Sequence, residues 1–441
     1  MLQLPEVEAL RALTRDGRLL FGTRVVRMFA YGSLSVVLVL YLAEAGMSEG
    51  QIGAVLTAAL IGDALFSLVI AGIADRVGRR PMLLIGAGLV VLAGVTFALT
   101  DNPLLLTLAA VVGTVSPSGN EVGAFLSIEQ AALPQTAPDD RRTPVFAWYH
   151  LAGAFATALG ALSSGALAAA LQRLGSTPLD SYRAIMAGYA LLGIGLGALF
   201  SLLSPGVEVP RRAGTVPTES PARTRFGLGR SRRVVLRLAL LFALDAFAGG
   251  LVVQSLVAYW FHVRFGVQTA VLGSIFFGAN LLAGFSALAA ARVAARFGLI
   301  NTMVWTHIPS NLLLMAVPLM PTLPLAIGVL LARFSISQMD VPTRQSYIMA
   351  VVDPGERSAA AGVTTIVRTA ASALSPALTG VLLGAALLNV PFLLAGGLKI
   401  VYDVLLYRSF HAIKPPEEQG TTGGARPAFR LPFRKPGTGG P

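Results

Sequence analysis

Charged and amide side chains set inside otherwise apolar runs are where this chain has chemistry to offer. The richest stretch is Ser116-Pro117-Ser118-Gly119-Asn120-Glu121-Val122-Gly123, followed by Glu129-Gln130, and a counterpart lies later in Ser337-Gln338-Met339-Asp340-Val341-Pro342-Thr343-Arg344-Gln345. Aligning Glu121-Val122-Gly123 on Asp340-Val341-Pro342 puts a carboxylate beside a helix-loosening residue in each. Pro117 removes a backbone hydrogen bond, so a helix broken there can turn carbonyl groups toward a cavity. An ionisable group inside a bilayer costs about 3 kcal/mol on insertion scales and is a functional-site candidate by default. The pattern predicts a substrate and proton site in which Glu121 and Asp340, with Asn120 and Gln338 beside them, flank a central cavity. One of the two carboxyls would lose and regain a proton in each cycle. A structural reading competes, because Asp340 and Arg344 at i,i+4 can simply neutralise each other on one helix face.

Further candidates follow along the chain. Asp245 and Gln254 lie roughly half a helical turn apart in direction, so they share a cavity only if Gly249-Gly250 breaks the helix. Arg27 shares a face with Tyr31 and could hold an anionic substrate or pair with Glu121, and Arg368 has the same two options. Glu129 is expected to contact a loop arginine at the inner gate. His150 has the side chain that titrates nearest neutrality, though a lone histidine near a helix end is more often merely hydrogen-bonded. Asp63 and Asn280 read as contacts between halves, and Lys399 with Asp403 as an i,i+4 structural pair.

The elements that position these residues are membrane spans. Of 441 residues, 54% are hydrophobic and 13% charged, about half the charged share of a soluble domain. The net charge of +12 is almost all arginine, since the lysines are only Lys399, Lys414 and Lys435. These arginines lie in loops and tails, which points to topology and attraction to anionic headgroups rather than to nucleic acid. There is no cysteine, hence no disulfide and no thiolate metal site. Residues 1–20 lack the apolar core of a signal peptide and read as a cytoplasmic tail.

Apolar runs predict twelve transmembrane helices in an all-α membrane protein. A six-span bundle over 21–203 and another over 234–410 are joined by a basic, Pro- and Gly-rich cytoplasmic linker, 204–233, and followed by a disordered cytoplasmic tail, 411–441. Ala294-Ala295-Arg296-Phe297-Gly298 echoes Ala74-Asp75-Arg76-Val77-Gly78, and Pro354-Gly355-Glu356-Arg357 echoes Pro138-Asp139-Asp140-Arg141, so the halves read as a duplication. An even span count and the arginine asymmetry place both termini in the cytoplasm.

The loop between spans two and three, Ala71-Gly72-Ile73-Ala74-Asp75-Arg76-Val77-Gly78-Arg79-Arg80-Pro81, carries a specific pattern. It resembles the Gly-x-x-x-Asp-Arg/Lys-x-Gly-Arg/Lys-Arg/Lys loop of the major facilitator superfamily of secondary transporters. Asp75, Arg76, Gly78, Arg79 and Arg80 match, while Ala71 takes the place of the first glycine. The resemblance implies two six-helix bundles that rock about a central site. It also implies an inner gate in which Asp75 meets the start of span eleven near Ala359–Ala361, helped by Arg141 or Arg142. Drug–proton antiporters of the superfamily often carry an arginine in the middle of span four and a Gly-Pro-rich span five. Span four here has no arginine and span five no proline after Pro144, which counts against that mechanism.

No glycine-rich phosphate cradle precedes a lysine, and no catalytic triad or metal-ligand cluster is present, so neither an ATP-driven pump nor an enzyme is expected and no cofactor is implied. The expectation is a monomeric, proton-coupled carrier of the inner or plasma membrane that exports a small organic solute. Proton-coupled uptake is the alternative, and a non-transporting membrane sensor or scaffold on the same fold is a further one.

Overall fold

The computed structural model describes residues 13–119, 124–136, 142–208, 229, 231–353 and 356–411, with the side chains of 70–76, 124, 135, 142–144 and 358 left aside. The chain forms twelve transmembrane helices arranged as two pseudo-symmetric bundles. In the first half these are span 1 (Arg15–Glu44), span 2 (Glu49–Val77), span 3 (Arg79–Leu99), span 4 (Pro103–Val112 and Ala124–Ala132), span 5 (Arg142–Arg173) and span 6 (Pro178–Ser201). In the second half they are span 7 (Arg232–Gly250 and Gln254–Phe265), span 8 (Thr269–Phe297), span 9 (Leu299–Ala316), span 10 (Leu323–Phe334 and Asp340–Val351), span 11 (Arg357–Gly384) and span 12 (Val390–Phe410). Among the described residues, nine helices are long and apolar enough to cross a membrane by themselves. Span 9 and the interrupted spans 4 and 10 fall outside that set, and spans 4 and 10 are counterparts in the duplication.

Local chemistry sets these boundaries. Thr14 caps span 1 by accepting from the Gly17 N–H, so this helix starts at Arg15, earlier than the apolar run from Phe21 suggests. Asn102 and Thr177 cap spans 4 and 6, each with proline next in the first turn. Gly78 has φ 119° and Gly298 φ 84°, so the tight turns after spans 2 and 8 fall at matching places in the two halves.

Residues at the two ends of the 204–233 linker are fixed by hydrogen bonds. The Glu208 carboxylate accepts from the backbone N–H groups of Arg79 (2.6 Å) and Arg80 (3.0 Å), capping span 3. Arg79 donates to the Val207 carbonyl at 3.1 Å, and the Arg80 guanidinium donates to the Ser201 carbonyl. At the far end of the linker, Glu356 accepts from Gly229 N–H (2.8 Å) and Ser231 N–H (2.9 Å) at the start of span 7.

The halves meet mainly through span 2 against span 11 and span 5 against span 8. Both crossings are close because glycine faces glycine. A methyl carbon built on Gly53 would lie 2.5 Å from the Pro376 carbonyl oxygen, and one on Gly165 2.6 Å from the Thr269 carbonyl oxygen. These contacts lie toward the face opposite the chain ends, the distal face. So do a Tyr182–Thr269 hydroxyl contact (2.9 Å) and a bond from Tyr259 to Glu49 (3.2 Å). The pairing corrects one expectation: span 2 lies against span 11 rather than span 8, and Asp63 interacts with Tyr31 and Tyr189 of its own half.

Candidate functional site

Spans 4, 7 and 10 break where the sequence loosens them. The first helix of span 4 stops at Val112, and after it Thr114 (φ 51°) and Gly119 (φ 68°) take left-handed conformations, with helix described again over Ala124–Ala132. Span 7 stops at Gly250 and restarts at Gln254, and span 10 stops at Phe334 and restarts at Asp340. The first two breaks touch across the interface. Ser255 N–H donates to the Pro117 carbonyl at 3.2 Å, and Gln254 Nε2 donates to Ser35 Oγ at 2.7 Å. Gln254 is thereby separated from Asp245, which remains on the first segment of span 7.

In the first half, Arg27 forms a two-pronged ion pair with Glu129, at 2.8 Å to Oε1 and 2.7 Å to Oε2. Glu129 also accepts from Thr23 Oγ1 at 2.8 Å and from the Tyr149 hydroxyl, and is fully buried. Arg24 stacks 4.1 Å over the Tyr149 ring and lies 3.5 Å from His150 Nδ1. Among the described residues the partner of Glu129 is Arg27 of span 1. The second segment of span 4 turns Glu129 inward, and a carboxylate buried that deeply requires a charged and hydrogen-bonded partner. Among the described residues Arg27 meets Glu129, and the expected pairing with Glu121 falls on a residue outside them. Asn120, Glu121 and Arg141 lie outside the described residues, as do the side chains of Asp75, Arg76 and Arg142.

The second half gathers a larger cluster. Asp245 Oδ1 accepts from Lys399 Nζ at 2.6 Å, and its Oδ2 accepts from Arg344 at 3.2 Å and Arg368 at 3.3 Å. Arg344 also donates to Asp340 at 2.9 Å, so the i,i+4 contact read from sequence is present but shared. Lys399 pairs with Asp245 and not with Asp403, which corrects the i,i+4 reading of span 12. Asp403 instead accepts from Asn311 at 3.1 Å and lies 2.8 Å from His307 Nδ1. His307 Nε2 faces Asp245 Oδ1 at 3.9 Å. Asp245, Asp340, Arg344, Lys399, His307 and Asp403 are all buried, while the Arg368 side chain is 28% exposed. Gln338 sits in the turn before Asp340, its backbone N–H donating to Ser286 Oγ at 3.3 Å.

Sequence reasoning passed over His307. The usable signal was its i,i+4 spacing from Asn311 in the middle of an apolar run, and both residues reach Asp403. Across the described residues, no group of three or more acidic or histidine side chains could hold a metal ion. The arrangement can bind an anion at Arg368 and redistribute charge among carboxylates.

Comparison with known proteins agrees with this architecture. The sequence profile of the Major Facilitator Superfamily matches residues 20–376. The chain is 28% identical over 424 residues to the uncharacterized membrane protein YJR124C of Saccharomyces cerevisiae, covering 90% of this chain and 94% of that protein. Its fold superposes on the nucleoside transporter NupG with TM-score 0.68 and 15% identity, covering 90% of this chain and 99% of NupG. It also superposes on a bacterial homologue of the human lysosomal transporter Spinster in an inward-facing, occupied conformation, with TM-score 0.67, 17% identity, and coverage of 90% and 97%. With the profile matched over most of its length and the bundles built as described, the chain belongs to the Major Facilitator Superfamily of membrane transporters.

Proposed function

We propose that this protein is a proton-coupled secondary active transporter that moves a small organic solute across the inner or plasma membrane by alternating access. The observation that carries the reading is the sharing of Asp245 by Arg344, Arg368 and Lys399 beside the breaks in spans 7 and 10. Buried charges of this number are costly to insert, and a shared carboxylate with several cations can exchange partners as substrate arrives. Arg368, the most exposed of the cations on Asp245, would take a negatively charged group of the solute, and Arg27 and Gln338 complete the proposed polar lining.

The gate follows the family pattern. Asp75, Arg76, Gly78, Arg79 and Arg80, with Arg141 and Arg142, would lock the ends of the bundles on the face bearing the chain termini, which we assign to the cytoplasm from the arginine asymmetry. Glu129, paired with Arg27, is proposed as a further gate residue in that half. The distal glycine crossings between spans 2 and 11 and spans 5 and 8 correspond to a state closed on the outside.

Export is the direction we propose from the sequence. Uptake with a proton is a second reading, favoured by a specific observation: the anion-accepting Arg368 and the carboxylates lie in the same half, so solute and proton would load together. A solute panel screened for thermal stabilisation of the purified protein selects the substrate. Proteoliposomes holding a pH gradient of either sign then decide the matter. The proposal expects accumulation driven by one gradient and abolished by an uncoupler, and solute movement indifferent to both gradients would refute it.

A further inference from the structure

The second-half cluster contains a group that the proposed cycle has not used. His307 lies midway along span 9, its Nδ1 2.8 Å from Asp403 Oδ1 and its Nε2 3.9 Å from Asp245 Oδ1. A carboxylate only accepts, so the short contact places a shared proton between Nδ1 and Asp403. A neutral ring then presents its Nε2 lone pair to Asp245, an anionic oxygen, at a distance too long for a hydrogen bond. That contact is unfavourable until Nε2 carries a proton, when it becomes an ionic one. We propose that His307, held by Asp403, which Asn311 holds in turn, is the binding site for the coupling proton, and that the added charge acts through Asp245 to loosen Arg368.

The surrounding charges support this. Span 7 brings Asp245, span 10 brings Asp340 and Arg344, span 11 brings Arg368, and span 12 brings Lys399, Tyr402 and Asp403, with the Tyr402 ring 6.0 Å from His307. Arg333, on the first segment of span 10, acts electrostatically on Asp340, and the span 8 arginines Arg292 and Arg296 are exposed beyond the cluster. The members joined by direct contact are Asp245, Asp340 and Asp403 against Arg344, Arg368 and Lys399, which balance when the imidazole is neutral. A proton on Nε2 adds one positive charge and breaks no bond. Asp245 Oδ1 is then contested by His307 and Lys399, the carboxylate as a whole holds Arg368 less firmly at Oδ2, and the arginine turns to an incoming anion. One proton would travel with one negative charge. This rests on the transport reading above and names its proton site, which the sequence had placed on Glu121 or Asp340.

The test needs no substrate. The chain contains no cysteine, so a single introduced pair can carry spin labels specifically. Leu202→Cys at the end of span 6 and Phe297→Cys at the end of span 8 mark the two halves, and both positions are exposed. The distance distribution of the labelled parent, recorded in lipid along a pH series between about pH 8 and about pH 5.5, is expected to shift. In His307→Gln, which keeps a hydrogen-bonding side chain but takes up no proton, the shift is expected to be lost. In Asp403→Asn it is expected to be displaced along the pH axis, so the assignment does not hang on one variant. If His307→Gln does not fold, His307→Asn is read in its place. A shift that persists unchanged in the His307 variant overturns the proposal, and so does one lost only in Asp63→Asn. A parent with no shift also overturns it. The transport reading stands or falls separately on the proteoliposome assay.

Discussion

Gln254 reaches across the interface between the two bundles and donates from Nε2 to Ser35 Oγ at 2.7 Å, both side chains buried. Beside it, Ser255 N–H donates to the Pro117 carbonyl, so the break in span 7 is fastened to the break in span 4. A bond of this kind exists in one state of an alternating carrier and must part in the other. A neutral buried hydrogen bond contributes about 1 kcal/mol net. Gln254→Ala is therefore expected to raise the population opened at the distal face about fivefold. Spin-label distances between the distal ends of spans 2 and 11 measure that population, and no change would remove the contact from the account.

The glycine crossings give a steric prediction. A methyl group on Gly165 would press on the Thr269 carbonyl oxygen, and one on Gly273 on that of Ala161, both at 2.6 Å. Backbone atoms cannot withdraw as a flexible side chain can, and overpacking costs about 1–3 kcal/mol. Gly165→Leu should hold spans 5 and 8 apart, lowering transport by about tenfold or more while leaving membrane insertion intact. Uptake per unit of inserted protein reads this directly.

Charge balance in the second half predicts a rescue. Asp245→Asn leaves Arg344, Arg368 and Lys399 without their shared acceptor, and breaking a buried ion pair costs about 3–5 kcal/mol. Thermal unfolding of the purified variant should fall by several degrees. Adding Lys399→Met, which removes one cation from the same carboxylate, should restore part of that loss. A double variant less stable than the single one would show that the charges are not balanced as described.

At the gate loop, Gly78 holds φ 119°, a conformation that side chains resist, and Glu208 caps the two residues that follow. Gly78→Leu and Asp75→Asn should each cripple transport with expression largely kept. Glu208→Ala should act more mildly, destabilising by about 1 kcal/mol through loss of the cap. Normal kinetics in the first two would refute the gate assignment.

Much of the fold was legible because apolar length, loop arginines and the duplicated loops each report topology independently. The breaks in spans 4, 7 and 10 were legible too, since Pro117, Gly249-Gly250 and Pro342 announce weak helix in or beside each break. Partnerships between spans were not. Lys399 and Asp403 are neighbours on one helix face by spacing, yet the packing of span 12 against spans 7 and 9 sends one to Asp245 and the other to His307. Glu129 likewise looked like an end-of-helix residue until span 4 broke and turned it onto Arg27. Spacing along one helix limits which residues share a face, while the neighbouring helix decides which of those faces is used.

The most direct measurement is proton movement in lightly buffered proteoliposomes when the solute selected by thermal stabilisation is added to one side. The account predicts an immediate pH change in the wild-type vesicles, absent in vesicles carrying Asp245→Asn. Solute entering without any proton movement, or an equal pH change in both preparations, would contradict it.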